Sequence, residues 1–470
     1  MKLKDRHSNV KMQAKQINRR KLSADIPDKD ERIRERIIQK LWRGITIDTE
    51  FTVRGGGKIE IISPGSWNHE EGPDFLNAML RVNGKIIRGD VEIHQRSSDW
   101  TRHSHSQSPH YSNVILHAVM LDDLKDPVTP SGVPVFELPF SLPPKKDYQP
   151  QEIEENAETN FCRDFFHSAS DEDARIFLTD AGIERFRNKS TAILSDMIAF
   201  GSDRAFLKYF FDAFGYKKNR TAFAKLFSRF SEYDRTEINQ HSTTILWGES
   251  GLLPNQSKEA FPDDKMQSFV SDCWKQWWPL RKSAREKINW TRNAIRPLNS
   301  PERRLAALCI MLEKFENSPI DFFLRIVRSN TYPSAFWPAV RNILKIQCQL
   351  WENHASFGSI LPKNVSLAGE SFLLEITLNV ILPSLYAYAV LKKDRTLSRY
   401  ALDSYLILPP EQDNSIIRAA AEKWFKHPDK KRIILNSTAL RQGTLHVYKE
   451  FCEKASGRCA QCLLSCSVRY

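Results

Sequence analysis

The chain has 470 residues, and its hydrophobic fraction of 41% predicts a folded protein of two or three domains rather than a disordered chain. Its 69 lysines and arginines exceed its 57 aspartates and glutamates by 12, which favours a polyanionic partner such as nucleic acid. The first residues show no apolar signal segment. Four scattered cysteines, at 162, 273, 309 and 348, look like reduced core thiols, so a cytoplasmic protein is expected.

In chain order, residues 1–27 are basic and lack a hydrophobic period, which predicts a mobile tail able to touch phosphates. A helix is predicted to begin near Asp28, with Glu31 at the spacing of a capping box, and its apolar stripe ends at Trp42. Strands are predicted at 50–53, 58–62, 75–82, 86–95, 113–120 and 135–138. From about residue 160 the period is helical, for example over 174–186, 189–199 and 205–214.

This order predicts an α+β protein with a β-rich N-terminal domain and a large all-helical domain. The predicted divisions are a basic tail at 1–27, the β-rich domain at 28–150, the helical domain at 160–450 and a cysteine tail at 451–470. The segment 372–391 is the most apolar candidate for a membrane span. Because it contains Glu375, Asn379 and Pro383, a buried helix of a soluble protein is predicted instead.

Two acidic clusters fall on adjacent predicted strands between residues 72 and 94. Side chains alternate along a strand, so Asp90, Glu92 and His94 share one polar face, and Asn83-Gly84 predicts the hairpin turn before them. Carboxylates from two neighbouring strands are oxygen ligands suited to Mg²⁺ or Mn²⁺. A solvated strand face explains the same pattern without a metal.

The register of this hairpin decides the chemistry. A three-residue loop at 82–84 pairs Asp74 with Glu92, whereas a two-residue loop pairs Asp74 with Ile93 and turns it towards the apolar face. We predict the register that sets Asp74 opposite Glu92, through the three-residue loop or through a bulge with the same effect.

This part of the sequence resembles the core of the PD-(D/E)XK nuclease superfamily, with Pro73-Asp74, a hairpin and then Glu92-x-His94. The resemblance implies a restriction-endonuclease-like mixed sheet in which Asp74 and Glu92 bind the metal and His94 occupies the position of a water-orienting lysine. The opening helix of that fold often contributes a glutamate, which here is Glu35. Imidazole has an ordinary pKa of about 6.5, against about 10.4 for lysine, so His94 supplies no permanent positive charge.

Histidines crowd the stretch that follows Asp99. His103 and His105 can place both rings on one side of an extended segment, as a metal requires, so we expect them to line the site or to bind phosphate. A polar loop is the plainer interpretation. His117 lies in an apolar strand and is predicted to be a hydrogen-bonded core group.

The segment from Trp274 to Arg304 interleaves aromatic and basic residues, a mixture that can stack bases and neutralise phosphates. Tryptophan at helical spacing is more often a core residue, so the tryptophans are predicted to be core and the basic side chains to form a nucleic-acid path. The basic candidates are Arg281, Lys282 and Arg285, joined by Lys217, Lys218 and Arg220. Gly443 is predicted to mark close helix packing.

Four cysteines close the chain in the pattern Cys452-x6-Cys459-x2-Cys462-x3-Cys466. Thiolates bind iron–sulfur clusters or zinc. The single Cys-x2-Cys favours a 4Fe-4S cluster, since zinc sites more often have two separated pairs. Cys466 is the least secure ligand, and free cysteines in a tail are the alternative.

A second resemblance covers nearly the whole chain and is to an uncharacterised bacterial family, domain of unknown function 2851. It rests on the motifs GPDF at 72–75, GDVEIH at 89–94, SDW at 98–100, NVILH at 113–117, FGYKKN at 214–219, WGESGLL at 247–253, RP at 296–297 and RQG at 441–443. That family implies no activity, so the functional hypothesis depends on the residues.

The leading hypothesis is a metal-dependent, nuclease-like protein that hydrolyses phosphodiester bonds in DNA or RNA. Asp74 and Glu92 would hold Mg²⁺ or Mn²⁺, with Asp90 or a backbone carbonyl as a further ligand, and His94 would orient the attacking water. Asp99, His103, His105 and Glu35 are expected at the rim. The alternatives are a non-catalytic nucleic-acid-binding or scaffold protein with a structural metal, and a hydrolase of another substrate.

Overall fold

A computed structural model describes most of the chain, and two compact units divide it, Met1–Pro150 and Gln151–Tyr470. The described residues are 38–39, 42, 49–52, 58–68, 72–103, 105–124, 128–138, 161–216, 218–255, 261–282, 286–293, 295–316, 318–412, 414–425 and 428–453. The predictions for residues 1–27, Glu35, Lys217, Arg285, Cys459, Cys462 and Cys466 lie outside them.

The N-terminal unit is built on one mixed β-sheet. Its strands are β1 (Thr49–Thr52), β2 (Lys58–Ser63), β3 (Ser66–Trp67), β4 (Phe75–Val82), β5 (Lys85–Arg96), β6 (Val114–Leu121) and β7 (Val135–Glu137). They run in the order β1-β2-β4-β5-β6-β7, with β3 paired to β4. The pairs from β1 to β5 are antiparallel, whereas β5 with β6 and β6 with β7 are parallel. The predicted strands are confirmed to within about two residues, and β3 was not predicted.

One face of this sheet carries the apolar core. Val91 and Ile93 of β5 pack there with Leu116 of β6 and with the helical residues Ile38 and Trp42. Because side chains alternate along a strand, the polar residues of β5 project from the opposite face. A short helix, α1 (Asp99–Arg102), and two 3-10 turns, His105–Gln107 and Pro109–Tyr111, connect β5 to β6.

The second unit is helical among its described residues, apart from a short hairpin of β8 (His354–Ser356) and β9 (Ser359–Ile360). Its helices are α2 (Phe161–Ser168), α3 (Asp171–Phe200), α4 (Ser202–Phe214), α5 (Arg220–Phe230), α6 (Arg235–Ser250), α7 (Asp264–Trp277), α8 (Pro301–Lys314), α9 (Pro319–Ser329), α10 (Pro333–Ile343), α11 (Gln349–Glu352), α12 (Glu370–Ile376), α13 (Leu382–Lys392), α14 (Arg395–Leu406), α15 (Ser415–Trp424), α16 (Pro428–Ile434) and α17 (Thr438–Val447). The predicted α+β class is therefore confirmed. The helical pattern predicted over 174–186 and 189–199 is confirmed, and α3 runs unbroken through both ranges.

Helices α3 and α17 approach so closely that only glycine fits between them. A Cβ added at Gly443 would lie 1.8 Å from the carbonyl oxygen of Leu178, and one added at Gly182 would lie 2.3 Å from that of Ala439. Such separations are far inside van der Waals contact, so the prediction that Gly443 marks close helix packing is confirmed.

The stretch Glu370–Lys392 is long and apolar enough to cross a membrane by length and composition, and 83% of its apolar window is buried inside the structure. A π-helical turn, Thr377–Ile381, joins its two α-helical halves. A core helix of a globular unit meets the same criterion. The predicted burial of segment 372–391 is confirmed.

Candidate metal centre

A β-bulge determines which residues of β4 and β5 face each other. A two-residue turn pairs Val82 with Lys85, but the register shifts between Phe75 and Ala78 so that Phe75 pairs with Val91. Asn77, in the bulge, has a φ of 59°, a left-handed conformation that asparagine tolerates better than most residues. The predicted three-residue loop is wrong, and the alternative of a bulge is confirmed.

The bulge places Asp74 beside Glu92, and the amide of Asp74 donates to Oε2 of Glu92 at 3.1 Å. The Asp74 carboxylate accepts from Nε2 of Gln39 at 2.7 Å and from the amide of Ile93 at 3.0 Å. Gln39 is a helical residue that the sequence did not single out. Asp74 therefore ties the helix, β4 and β5 together around Glu92.

The Asp90 side chain forms hydrogen bonds at the bulge. Its carboxylate accepts from the amide of Asn77 at 2.9 Å and from Nδ2 of Asn113 at 3.0 Å. Asp99 is also held locally, since it accepts from the amide of Arg96 at 3.0 Å and pairs with Arg102 at 3.1 Å. Both carboxylates thus stabilise turns and strand ends beside the centre.

Glu92 converges instead with histidines. Its Oε1 lies 3.4 Å from Nε2 of His94 and 3.2 Å from Nε2 of His105, and those two nitrogens are 3.2 Å apart. Nδ1 of His103 lies 3.0 Å from Nε2 of His94. Within the described ranges, ligand atoms of His94, His103 and His105 all fall within 4.8 Å of one another.

Different elements bring these side chains together. Glu92 and His94 lie on β5 and are 4% and 1% exposed, while His105 opens a 3-10 turn and is 8% exposed. His103 follows α1 and is exposed. The histidines were predicted on an extended segment, but a helix and a turn fold them back onto β5.

Aromatic side chains pack around the cluster. The buried Trp100 ring lies 5.4 Å from the ring of His105 and 5.1 Å from that of His117, and its Nε1 donates to Oγ of Ser106 at 2.9 Å. The Tyr111 ring stacks on His105 at 3.8 Å. These contacts exclude water from one side of the cluster and fix the ring planes.

Burial keeps the imidazoles neutral. It lowers the pKa of His105 to about 4 and that of His117 to about 3. The pKa of His94 is lowered well below its ordinary value, first by burial and then by the neighbouring histidines. Neutral imidazole nitrogens carry the lone pairs that metals bind.

His117 is fully buried on β6, and its Nε2 lies 2.8 Å from Nδ1 of His94. The prediction of a hydrogen-bonded core histidine is confirmed. Its contact with His94 was not foreseen, because pairing β5 with β6 is a tertiary event. A partner on the second ring nitrogen is what usually orients a metal-binding histidine.

The distances suit a transition metal. Metal–ligand bonds of about 2.0–2.1 Å in tetrahedral geometry place neighbouring ligand atoms about 3.3–3.4 Å apart. The three separations among Glu92, His94 and His105 are 3.2, 3.2 and 3.4 Å. A carboxylate and neutral imidazoles directed at one point also repel each other unless a cation or shared proton lies between them.

The basic candidates in the helical unit mostly contact protein groups. Arg220 pairs with Asp212 at 3.0 Å, and Lys282 pairs with Glu237 at 3.0 Å. Lys218 donates to the carbonyl oxygen of Asn293 at 3.2 Å.

The tryptophan prediction holds only in part. Trp277 is buried as predicted, but Trp278 is 62% exposed, so the core prediction is wrong there. Arg281 lies over both rings, at 5.7 and 5.5 Å from their centroids.

Most cysteines in the described part of the chain are buried. Cys162, Cys273 and Cys309 are buried as predicted, and Cys348 is half-buried. Cys452 is also buried, in an apolar cluster with Phe166 and Trp424 at the end of the helical unit.

The comparisons identify a family without an activity. The family model described as a protein of unknown function, DUF2851, matches residues 35–414. Neither the curated proteins nor the solved structures contain a significant match.

Proposed function

The chain belongs to the DUF2851 family of proteins of unknown function, and we propose that it is a metal-dependent hydrolase of phosphodiester bonds in DNA or RNA. The observation that carries this proposal is the convergence of Glu92, His94 and His105 within 3.2–3.4 Å. The excess of 12 positive charges supports a polyanionic substrate. The resemblance of Asp74, Glu92 and His94 to a nuclease motif supports it further.

Each residue of the centre has a distinct part in the proposal. Glu92, His94 and His105 bind the ion, and Asp74 positions Glu92 through its amide. His103 is the exposed member, so a substrate would meet it first. A bound divalent ion would supply Lewis acidity and a water of lowered pKa for attack on phosphorus.

The ligand types bear on which metal is bound. Magnesium prefers oxygen ligands in octahedral geometry, whereas imidazole suits zinc and other transition metals. The histidine-rich set therefore favours Zn²⁺ over the Mg²⁺ or Mn²⁺ expected from the carboxylates alone.

The test is cleavage by protein stripped of metal and reconstituted separately with Zn²⁺, Mn²⁺ and Mg²⁺. Single- and double-stranded DNA and RNA are the substrates. Glu92→Gln and His94→Ala should abolish cleavage, whereas His110→Ala should not, because His110 is exposed in the same connection and lies outside the cluster. Absence of metal-dependent cleavage in the wild type, or its survival in both variants, would refute the proposal.

A structural metal site in a non-catalytic nucleic-acid-binding protein is the second candidate. One observation favours it: His103 offers a fourth ligand atom 3.0 Å from that of His94. Four protein ligands close a zinc site, and closed sites are usually structural. In that case Glu92→Gln would lower metal content and stability, and the wild type would bind but not cleave nucleic acid.

We further propose that Cys452, Cys459, Cys462 and Cys466 bind a 4Fe-4S cluster or zinc in a reducing, cytoplasmic compartment. The support is the spacing of the four cysteines and the burial of Cys452, and the scattered positions of the other cysteines support a reducing compartment. Protein purified without oxygen should be brown and contain iron. A colourless sample with stoichiometric zinc would exclude the cluster, and one with neither metal would leave the cysteines without this role.

A further inference from the structure

A pocket in the helical unit is lined by three basic residues, Lys218, Arg296 and Arg304. Its volume is about 280 Å³, and its described lining includes no aspartate or glutamate. The motifs at 214–219 and 296–297 supply most of its wall. Concentrated positive charge in a small concavity attracts an anion.

Arg304 is the buried member of this set, at 6% exposure. Its guanidinium lies over the rings of both Tyr216 and Phe372, at 4.2 and 4.1 Å from their centroids. One terminal nitrogen donates to the Tyr216 hydroxyl and, at 2.6 Å, to Oδ1 of Asn299.

The rest of the Arg304 guanidinium has no such partner. Its Nε and its other terminal nitrogen have no hydrogen-bond acceptor among the described residues. Glu375 acts on it electrostatically, but the described ion pairs within 4.0 Å include none to Arg304. A buried cation whose N–H groups lack hydrogen-bond acceptors is costly, so a bound anion that accepts from them would stabilise this arrangement.

The start of α5 adds to the positive potential. Its N-cap residue, Asn219, lines the pocket but makes no side-chain cap to the helix. The Asn219 side chain instead bonds both backbone groups of Thr291, at 2.7 and 3.0 Å. The first-turn amides of α5 therefore keep their capacity to bind an anion.

We propose that this pocket binds a phosphate dianion, either free inorganic phosphate or the terminal phosphate of a polynucleotide. Arginine and lysine are the side chains that bind phosphate most strongly. The cavity volume of about 280 Å³ lies near the lower end of the roughly 300–1,000 Å³ typical of small-molecule sites and leaves room for a phosphate group. Arg304 forms the buried wall, and the exposed Lys218 and Arg296 contribute from the rim.

The test is a calorimetric titration of the full chain in chelator, so that cleavage at the metal centre plays no part. The probes are inorganic phosphate and one trinucleotide bearing either a 5′-phosphate or a 5′-hydroxyl. Lys218→Gln with Arg296→Gln should weaken binding about tenfold or more, as expected for lost charge-assisted contacts. The control is Arg328→Gln with Lys345→Gln, which removes two exposed charges outside the pocket and should leave affinity unchanged.

Saturable binding of inorganic phosphate alone would assign the pocket to the free ion, and a clear preference for the phosphorylated trinucleotide would assign it to a chain end. No saturable binding of either probe would overturn the proposal. Equal weakening in the pocket and control variants would overturn it too, because that pattern indicates a general charge effect. Arg304→Met supplies a second variant, with folding verified by its circular dichroism spectrum.

Discussion

Glu92 uses its two carboxylate oxygens differently. Oε2 accepts from the amide of Asp74, whereas Oε1 faces the ring nitrogens of His94 and His105. The first contact fixes the carboxylate within the sheet, and the second directs it to the candidate metal. Orientation by a backbone donor is the kind of support that a metal ligand needs.

Asp90 and Glu92 share a strand face but should respond differently to mutation. We expect Asp90→Asn to lower stability by about 1–3 kcal/mol, because it disturbs two partly buried hydrogen bonds at the bulge. Its metal affinity should stay near that of the wild type, whereas Glu92→Gln should lose about 100-fold or more. Competition with a chelator measures the metal affinity of both variants. An equal loss of affinity in the two would indicate that Asp90 is also a ligand.

Lys189 predicts a pH dependence in the helical unit. Its ammonium group donates to Asn379 and Gln442, and burial lowers its pKa from 10.5 to about 7. Between pH 7 and 10.5 the unfolded chain holds this proton more tightly, so stability should rise with pH, by less than about 1.4 kcal/mol per unit. Urea unfolding should show this slope in the wild type and a smaller one in Lys189→Met. Parallel profiles for the two proteins would argue against the lowered pKa.

At the scale of elements, the bulge in β4 connects strand pairing to the site. Asn77 occupies a left-handed conformation that a β-branched residue adopts only with strain. We expect Asn77→Val to cost about 1–3 kcal/mol and to weaken metal binding, because the register beside Glu92 depends on the bulge. Asn77→Gly should retain metal binding. Denaturation measures the loss of stability, and metal titration measures the affinity. If Asn77→Val bound metal as tightly as the wild type, metal binding would not depend on the register that the bulge sets.

The contact of α3 with α17 gives a second prediction at this scale. Gly443→Ala should destabilise the helical unit by about 1–3 kcal/mol or more, since the added Cβ meets backbone that cannot move aside. Gly358→Ala is the matched control, because an added Cβ there meets no heavy atom within 4 Å. Thermal unfolding of both variants provides the comparison. Similar unfolding temperatures for the two variants would show that α3 and α17 can move apart with little loss of stability.

At the scale of the molecule, each unit has its own apolar core, and the candidate metal centre lies wholly within the first. A polypeptide of residues 1–150 should therefore be stabilised by zinc, by about 2.7 kcal/mol at a hundred times the dissociation constant. Glu92→Gln in that polypeptide should remove the effect. Calorimetry with and without zinc measures this stabilisation. An unfolding midpoint that zinc leaves unchanged in the unsubstituted polypeptide would be evidence against a metal centre there.

Much of the N-terminal unit could be predicted from local pattern. The alternation along β5 and the Asn83-Gly84 turn were sufficient to place the hairpin and the polar face of Glu92 and His94. Sequence spacing did not reveal that His103 and His105 fold back, or that His117 contacts His94. Those contacts depend on a short helix and a 3-10 turn that reverse the chain and on the parallel pairing of β5 with β6, which joins residues distant in sequence.

The sequence by itself determined the division into β-rich and helical parts and the polar face of β5, because these follow from local periodicity. Tertiary structure decided the register and the membership of the centre. A bulge of one residue changes which side chains face each other, and only the folded chain brings His105 to Glu92. The same reason applies to the cationic pocket, whose basic residues lie on segments that meet only after the helices pack.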